Sequence, residues 1–332
     1  MNERFHAMLI EKVGEKPHAR LAELSLDDLP DHDVLVQITC SSLNYKDGLA
    51  ISGRSAIARK LPMVAGIDLA GIVVESRSPE WQTGDRAIVN GWGLSETEWG
   101  GYSQFQRLKP EWLTRQPGGF TPHEAMAIGT AGYTAALCVN ALEERGGLTP
   151  QKGEVLVTGA GGGVGSVAVS LLAAKGYSVV ASTGRASTHE YLAELGASAV
   201  IDRAELSGSV RPLQKERWAG VIDTVGSTTL ANAIAQTIYG GTVTACGLAG
   251  GPDLPATVFP HILRSVALLG IDSVYAPHTL RDRAWATLDM YLDRGALAKI
   301  MSVHAMEELA TLADQIVAGE IRGRVVIQIT QE

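Results

Sequence analysis

Residues 155–166 read VLVTGAGGGVGS: an apolar run, a turn of glycines, and the opening of an apolar helix that continues to about residue 175. This order constrains the fold more than anything else in the chain. Small residues at Gly161, Gly162 and Gly163 permit a tight turn. With Val164 they bring backbone amides to a helix N-terminus, where the macrodipole favours a pyrophosphate. A glycine loop that is merely flexible would need neither the strand before it nor the helix after it. The segments beyond repeat the theme. Apolar runs at 178–182, 198–201, 220–223, 242–246 and 266–271 are separated by helical patterns, among them 187–195 and 228–237. Continuous apolar strands alternating with helices predict a doubly wound parallel sheet, covered on both faces, that binds a dinucleotide.

The end of the second strand bears on which dinucleotide. A site for NAD carries Asp or Glu there, about 20 residues past the glycine turn, to accept the ribose 2′-hydroxyl. This chain has Ser182, Thr183, Gly184 and Arg185, with no acid before Glu190. Hydroxyls and a guanidinium suit a 2′-phosphate, to which Arg makes charge-assisted and often bidentate bonds. Arg203, after the third strand, supplies a second cation; the alternative is that both arginines are solvated surface charges. NADPH is the expected cofactor.

Residues 1–120 have another texture. Short β-branched runs at 34–42, 71–76 and 85–93, punctuated by Gly and Pro, suggest an all-β domain, a small barrel. PGGFTP at 117–122 breaks the chain before a long helical pattern over 123–145. Its uncharged stretch, 125–142, holds Gly129, Thr130, Gly132, Thr134 and Asn140, which suits a buried core helix better than a membrane span. Helical patterns near 280–292 and 306–317 follow the sheet. The alternation in VVIQIT (325–330) then suits a strand that returns to the first domain.

Composition narrows the function. With 45% hydrophobic and 19% charged residues the chain is globular, and 332 residues suggest two domains. A net charge of −8 disfavours nucleic acid as a partner. Cys40, Cys138 and Cys246 are too far apart to form a disulfide framework or a Cys-rich zinc cluster. The eight histidines show no metal-ligand spacing, and His189 and His261 read as structural residues. MNERFHAMLIEK lacks the apolar run of a secretory signal, so a cytoplasmic chain with no membrane partner is expected.

Two segments carry a resemblance. SSLNYKD (41–47) and GIDLAG (66–71) are similar to segments of the medium-chain dehydrogenase/reductases, a superfamily whose zinc enzymes have a Cys ligand in the first and Gly-His-Glu in the second. Here Asn44 and Ile67 stand at those positions, and neither is a zinc ligand. The chain therefore resembles the zinc-independent, quinone oxidoreductase-like branch. GWG with ETEWGG, IGTAGYTA, STHEYL, WAGVIDTVG, ACGLAGG and a closing GR resemble the narrower family of NADPH-dependent acryloyl-CoA reductases. One departure is visible at VAGID, where Ala65 replaces a Pro more usual in relatives.

That resemblance covers essentially the whole chain. It implies an α/β protein with a GroES-like β-barrel catalytic domain (1–124 and 274–332) and a Rossmann NADPH-binding domain (125–273). The implied activity is reduction of the C=C bond of a short enoyl-CoA, acryloyl-CoA to propanoyl-CoA, by a homodimer without zinc. Alternatives are an NADPH:quinone reductase or an NADPH-binding protein without turnover. An α,β-unsaturated thioester needs little Lewis-acid help, because its carbonyl delocalises charge once hydride reaches the β-carbon.

Candidate residues follow. Tyr45 is the expected proton donor or oxygen-binding phenol, also touching cofactor, with Asn44 and Asp47 beside it; the alternative for Tyr45 is packing only. Further cofactor contacts are expected at Thr130, Leu248, Ile262, Ser273 and Arg324. Arg54, Arg59 and Lys60 form a basic stretch that either meets CoA phosphates or is a solvated loop. Trp92 and Trp99 either wall a substrate cleft or belong to the core.

Overall fold

The structure, a computed structural model, describes residues 4–14 and 16–330. It divides into two compact units, 1–130 with 301–332 and 131–300.

The first unit opens with strands β1 (Arg4–Val13), β2 (Lys16–Ser25) and β3 (Val34–Leu43), then helix α1 (Tyr45–Ile51). Strands β4 (Met63–Val64), β5 (Asp68–Ser76), β6 (Arg86–Asn90), β7 (Phe105–Leu108) and β8 (Thr114–Arg115) follow, before helix α2 (Pro122–Glu144). The β-branched run of β3 is buried at nine of its ten positions, as befits a strand with neighbours on both edges. It pairs antiparallel with β5 and β7. Met8, Val36, Ile38, Leu69 and Val89 pack together at the centre of the core.

In the second unit strands β9 (Glu154–Val157), β10 (Val179–Thr183), β11 (Ala199–Asp202), β12 (Trp218–Asp223), β13 (Thr237–Ala245) and β14 (Ala267–Gly270) form one sheet in the order β11-β10-β9-β12-β13-β14. Every pairing in it is parallel. Renumbered from β9, this is the 3-2-1-4-5-6 order of a doubly wound dinucleotide-binding sheet, as its sequence texture predicts. Helices α3 (Gly163–Ala174), α4 (His189–Glu194), α5 (Ser227–Ala235) and α6 (Phe259–Arg264) lie between the strands. Leu156, Val180, Val221 and Val243 put their side chains into a common core from four adjacent strands.

Helices α7 (His278–Tyr291) and α8 (Arg294–Ile300) come next, and both pack on α3. Residues 274–300 therefore fold with the dinucleotide-binding unit, and the boundary lies near residue 300 rather than at 273. Ala284, Trp285 and Leu288 are the buried apolar stripe of α7 that sequence texture alone leaves unassigned to either core. The chain then returns through β15 (Met301–Ala305), α9 (Leu309–Val317) and β16 (Arg324–Gln328). As expected, the closing strand joins the first unit: β16 pairs antiparallel with β3, placing Val325 opposite Leu43.

The long helix also differs in one respect. Its apolar window is 94% buried inside the protein, the core role expected of it. However, the helix is broken at Gly129, whose φ of 48° and ψ of −161° are not helical. That break matters for the site.

Candidate active site

The glycine turn before α3 is built on backbone that tolerates few side chains. Gly159 has a φ of 58°, and a Cβ there would lie 2.3 Å from Thr224 Oγ1. A Cβ on Gly165 would lie 2.5 Å from Gly159 O, so the first turn of α3 closes on backbone that tolerates no side chain. Gly162 caps α3 without a side-chain bond, and the first turn holds no acid, so its amides face no competing carboxylate of their own. Asp223, at the end of β12, braces the turn. It accepts from Thr158 Oγ1 at 2.7 Å and from the Gly226 amide at 2.7 Å. Burial holds its carboxyl above the usual range.

Of the two predicted arginines, Arg185 borders this turn and Arg203 stands at the end of β10. Arg185 donates to Gly161 O at 3.3 Å, and its own amide bonds Thr183 Oγ1 at 3.2 Å. Arg203 lies across Gly184, where a Cβ would sit 2.3 Å from its Nε. Two guanidiniums and the Thr183 hydroxyl thus gather at the end of β10, where an NAD site would have an acid. These residues fit NADP(H). Leu248 lines a cavity of 530 Å³ at the C-terminal ends of β13 and β14. Ile262 projects from α6 into solvent, 67% exposed. His261 is structural, its Nδ1 lying 2.7 Å from Val266 O.

The first unit holds a different kind of site. Asn44 and Asp47 form a capping box at the start of α1: the Asn44 amide donates to Asp47 Oδ2 at 2.9 Å. Asp47 Oδ1 accepts from the Ile67 amide at 3.0 Å. Asp68, buried on β5, accepts five hydrogen bonds. Its Oδ2 takes Ser42 Oγ (2.5 Å), Asn44 Nδ2 (2.9 Å) and the Thr130 amide (2.8 Å). Its Oδ1 takes Asn90 Nδ2 (2.7 Å) and Thr130 Oγ1 (2.6 Å). The break at Gly129 frees the Thr130 amide for this, and a Cβ at Gly129 would come within 2.6 Å of both Ser42 Oγ and Arg324.

Arg324 completes the cluster. Only 2% exposed, it donates to Ala127 O, Leu43 O, Asn44 Oδ1 and Ser42 Oγ at 2.8–3.2 Å. Its guanidinium serves the interior of this unit, whereas the resemblance implies a cofactor contact. Tyr102 donates to Ser42 O at 2.9 Å. Burial, with the Asp47 and Asp68 charges, drives its phenol well above the usual range. Burial, then the Asp68 charge, pushes Asp47 up to about 7.

Among Asn44, Tyr45 and Asp47, only Tyr45 reaches solvent, at 41% exposure. Thr130 has its hydroxyl on Asp68. The basic stretch is largely matched by acids: Arg54 pairs with Asp314 (3.1 Å), and Arg59 (3.6 Å) and Lys46 both reach Glu96. Lys60 is exposed. Trp92 packs on the central core, and Trp99 does so while donating to Pro62 O at 3.2 Å. Sequence reasoning missed Ser42, Asp68, Asn90, Arg324's buried role and Gly129. Asp68 carried one signal, an acid where the zinc relatives have Glu.

Comparison with known proteins places this arrangement. Residues 30–143 match the alcohol dehydrogenase GroES-like domain, and residues 163–289 match the zinc-binding dehydrogenase domain. A "Probable acrylyl-CoA reductase AcuI" from Escherichia coli (strain K12) is 48% identical over 97% of this chain and 99% of its own length. The chain belongs to the medium-chain dehydrogenase/reductase family. A second member, "Putative quinone oxidoreductase YhfP" from Bacillus subtilis (strain 168), is 42% identical over 99% of this chain and all of its own. The crystal structure of the yhdH oxidoreductase from Salmonella enterica in complex with NADP superposes with a TM-score of 0.96 at 47% identity, covering 98% of this chain and 100% of that one.

One of the two family domains is named for zinc, so the family implies a metal that this donor set must be tested against. Ile67 offers no lone pair. The Asn44 amide is committed to Asp68 and Arg324, and the Asp68 oxygens are saturated by five donors. A buried guanidinium already occupies the cationic role. These residues do not fit zinc in a medium-chain dehydrogenase/reductase site.

The raised Asp47 pKa sets a pH dependence. A carboxyl at about 7 in the folded chain and near 3.8 when unfolded holds an extra proton in the native state between those values. Its contribution is full below pH 4 and is lost as pH rises through 7. Asp47→Asn cannot titrate, so the stability advantage of wild type over the variant should shrink by about 2–4 kcal/mol between pH 5 and pH 8. Paired urea unfolding at the two pH values measures it; a constant difference would place the proton elsewhere.

Proposed function

We propose that this chain reduces the C=C bond of a short enoyl-CoA with NADPH, converting acryloyl-CoA to propanoyl-CoA without zinc. The observation that carries the reading is near full-length similarity to the Escherichia coli protein named a probable acrylyl-CoA reductase. The two guanidiniums and the Thr183 hydroxyl at the end of β10, suited to a 2′-phosphate, support it.

NADPH, when bound, supplies the hydride that adds to the β-carbon. The chain's residues do the rest. Amides at the start of α3 hold the pyrophosphate, and Arg185 with Arg203 holds the 2′-phosphate. Tyr45 donates a proton to the α-carbon or a hydrogen bond to the enolate oxygen. Asn44 and Asp47 act as positioning residues, because their polar atoms are spent on the capping box and the Asp68 cluster. Asp47, Asp68 and Arg324 stiffen the start of α1 from beneath, which fixes where the Tyr45 phenol stands. Lys60 and Arg59 are the candidates for CoA phosphates, with Arg54 tied more closely to its acid.

A second reading, reduction of a quinone by the same cofactor, is favoured by the similarity to the Bacillus subtilis protein. NADPH oxidation with acryloyl-CoA, crotonyl-CoA and a benzoquinone side by side, with and without chelator, separates the two. Turnover confined to the quinone, or abolished by the chelator, would overturn the first reading. Arg185→Ala should weaken NADPH by about 1–3 kcal/mol while NADH changes little, since only the 2′-phosphate contact is lost. Equal loss for both cofactors, by fluorescence titration, would remove Arg185 from that role.

The enzyme is further read as a cytoplasmic homodimer. Free thiols at Cys40, Cys138 and Cys246 suit a reducing compartment. Strand β14 ends the parallel sheet with one edge open, and Val258 and Ile262 beside it are 66% and 67% exposed. A monomer mass by light scattering would refute the dimer.

A further inference from the structure

The segment after β14 has no regular structure, yet several of its backbone groups are held by hydrogen bonds. Ile271 N donates to Ala245 O at 3.0 Å. Asp272 Oδ1 accepts from the Val274 amide at 2.7 Å. The carbonyls are held from the opposite side by one residue. Arg281, on α7 and only 2% exposed, donates to Ser273 O at 3.2 Å, Val274 O at 2.7 Å and Ala276 O at 2.9 Å. Its guanidinium also stands 5.3 Å from the Tyr133 ring centroid. A buried cation is an expensive way to hold an ordinary loop, since its desolvation must be offset by every bond it makes.

The position of this loop gives the expense a purpose. Ile271 and Asp272 line the 530 Å³ cavity at the C-terminal ends of β13 and β14, together with Cys246 and Leu248. In a 3-2-1-4-5-6 sheet the two nucleotides divide between the halves on either side of the switch point. The glycine turn, Arg185 and Arg203 all belong to the β9–β11 half, which takes the adenosine 2′-phosphate end. The cavity belongs to the β12–β14 half, which takes the nicotinamide end.

We infer that Arg281 is a positioning residue for the nicotinamide half of the cofactor, fixing the 273–276 backbone that continues directly from Ile271 and Asp272 in the lining of this cavity. It never touches the ligand. It sets the backbone that does, so its loss loosens one half of the dinucleotide site and leaves the other unchanged. The inference rests on the NADPH reading above.

Two ligands separate the halves. NADPH spans both, whereas 2′,5′-ADP fills only the adenosine end. Arg281→Lys, which keeps charge and stem but loses the fork, should weaken NADPH roughly tenfold and shift 2′,5′-ADP less than twofold, by fluorescence titration and competition. Arg281→Met should weaken NADPH further with the same selectivity. Unchanged NADPH affinity, or equal loss for both ligands, overturns the inference. If neither variant folds, hydrogen exchange on the wild-type protein decides. Amides of 273–276 should gain protection with NADPH and not with 2′,5′-ADP. Protection by both, or by neither, overturns it. Wild-type protein that binds 2′,5′-ADP and NADPH no better than NADH would instead sink the cofactor reading itself.

Discussion

Arg324→Met is expected to destabilise the chain by about 3–5 kcal/mol, a large effect for one side chain. The guanidinium is buried, and it is the donor for Ala127 O, Leu43 O, Asn44 Oδ1 and Ser42 Oγ. Methionine fills much of the space but leaves these acceptors without that donor and two buried carboxylates without their cation. Burial lowers the Arg324 pKa from its ordinary value, while the Asp68 and Asp47 charges pull it back up. The cation and the acids therefore stabilise each other in a setting where none would be tolerated alone. Arg324→Lys keeps the charge but cannot reproduce the fork, so an intermediate loss is expected. The urea midpoints of the three proteins test this. A loss below about 1 kcal/mol in Arg324→Met would mean that water reaches the cluster and the charges are screened.

The largest catalytic effect should come from Tyr45→Phe. If the phenol protonates the α-carbon or binds the enolate oxygen, the variant lacks an interaction made mainly in the transition state. Both kcat and kcat/KM should then fall together by about 10²–10³, with NADPH affinity unchanged. Stability should hardly move, because Tyr45 is 41% exposed and Phe keeps the ring. A fall of less than about threefold would reduce Tyr45 to packing. The same substitution separates water as the proton source: a solvent isotope effect on kcat of equal size in both enzymes would indicate that water delivers the proton. Asn44 is a poor substitute for this duty, since its amide already serves Asp68 and Arg324.

The cofactor half of the molecule was legible because its information is local. VLVTGAGGGVGS contains its own strand, turn and helix start, and Gly165 closes on backbone only a few residues away. The expectation of NADPH lay in four consecutive residues at the end of β10. Apolar runs announced a parallel sheet because both faces of such strands are buried. Even the return of the last strand was visible in its alternation.

The polar cluster was not legible. Ser42 and Arg324 are 282 positions apart, and they meet only because β16 pairs antiparallel beside β3. Asp68 reaches Thr130 only because the helix breaks at Gly129, which reads in sequence as one more small residue in a continuous apolar helix. Periodicity and turn chemistry report how a residue's own segment wants to lie, over a reach of one or two turns. They carry nothing about which distant segments will close over it. A charge is buried, and a carboxyl driven to about 7, only once several segments have excluded water together. The sequence by itself therefore determined the nucleotide turn, the parallel sheet and the absence of metal-ligand side chains at positions 44 and 67. The tertiary structure alone decided that a hydrogen-bonded cluster around Asp47, Asp68 and Arg324 occupies that place, and that Tyr45 is the one member of its segment left exposed.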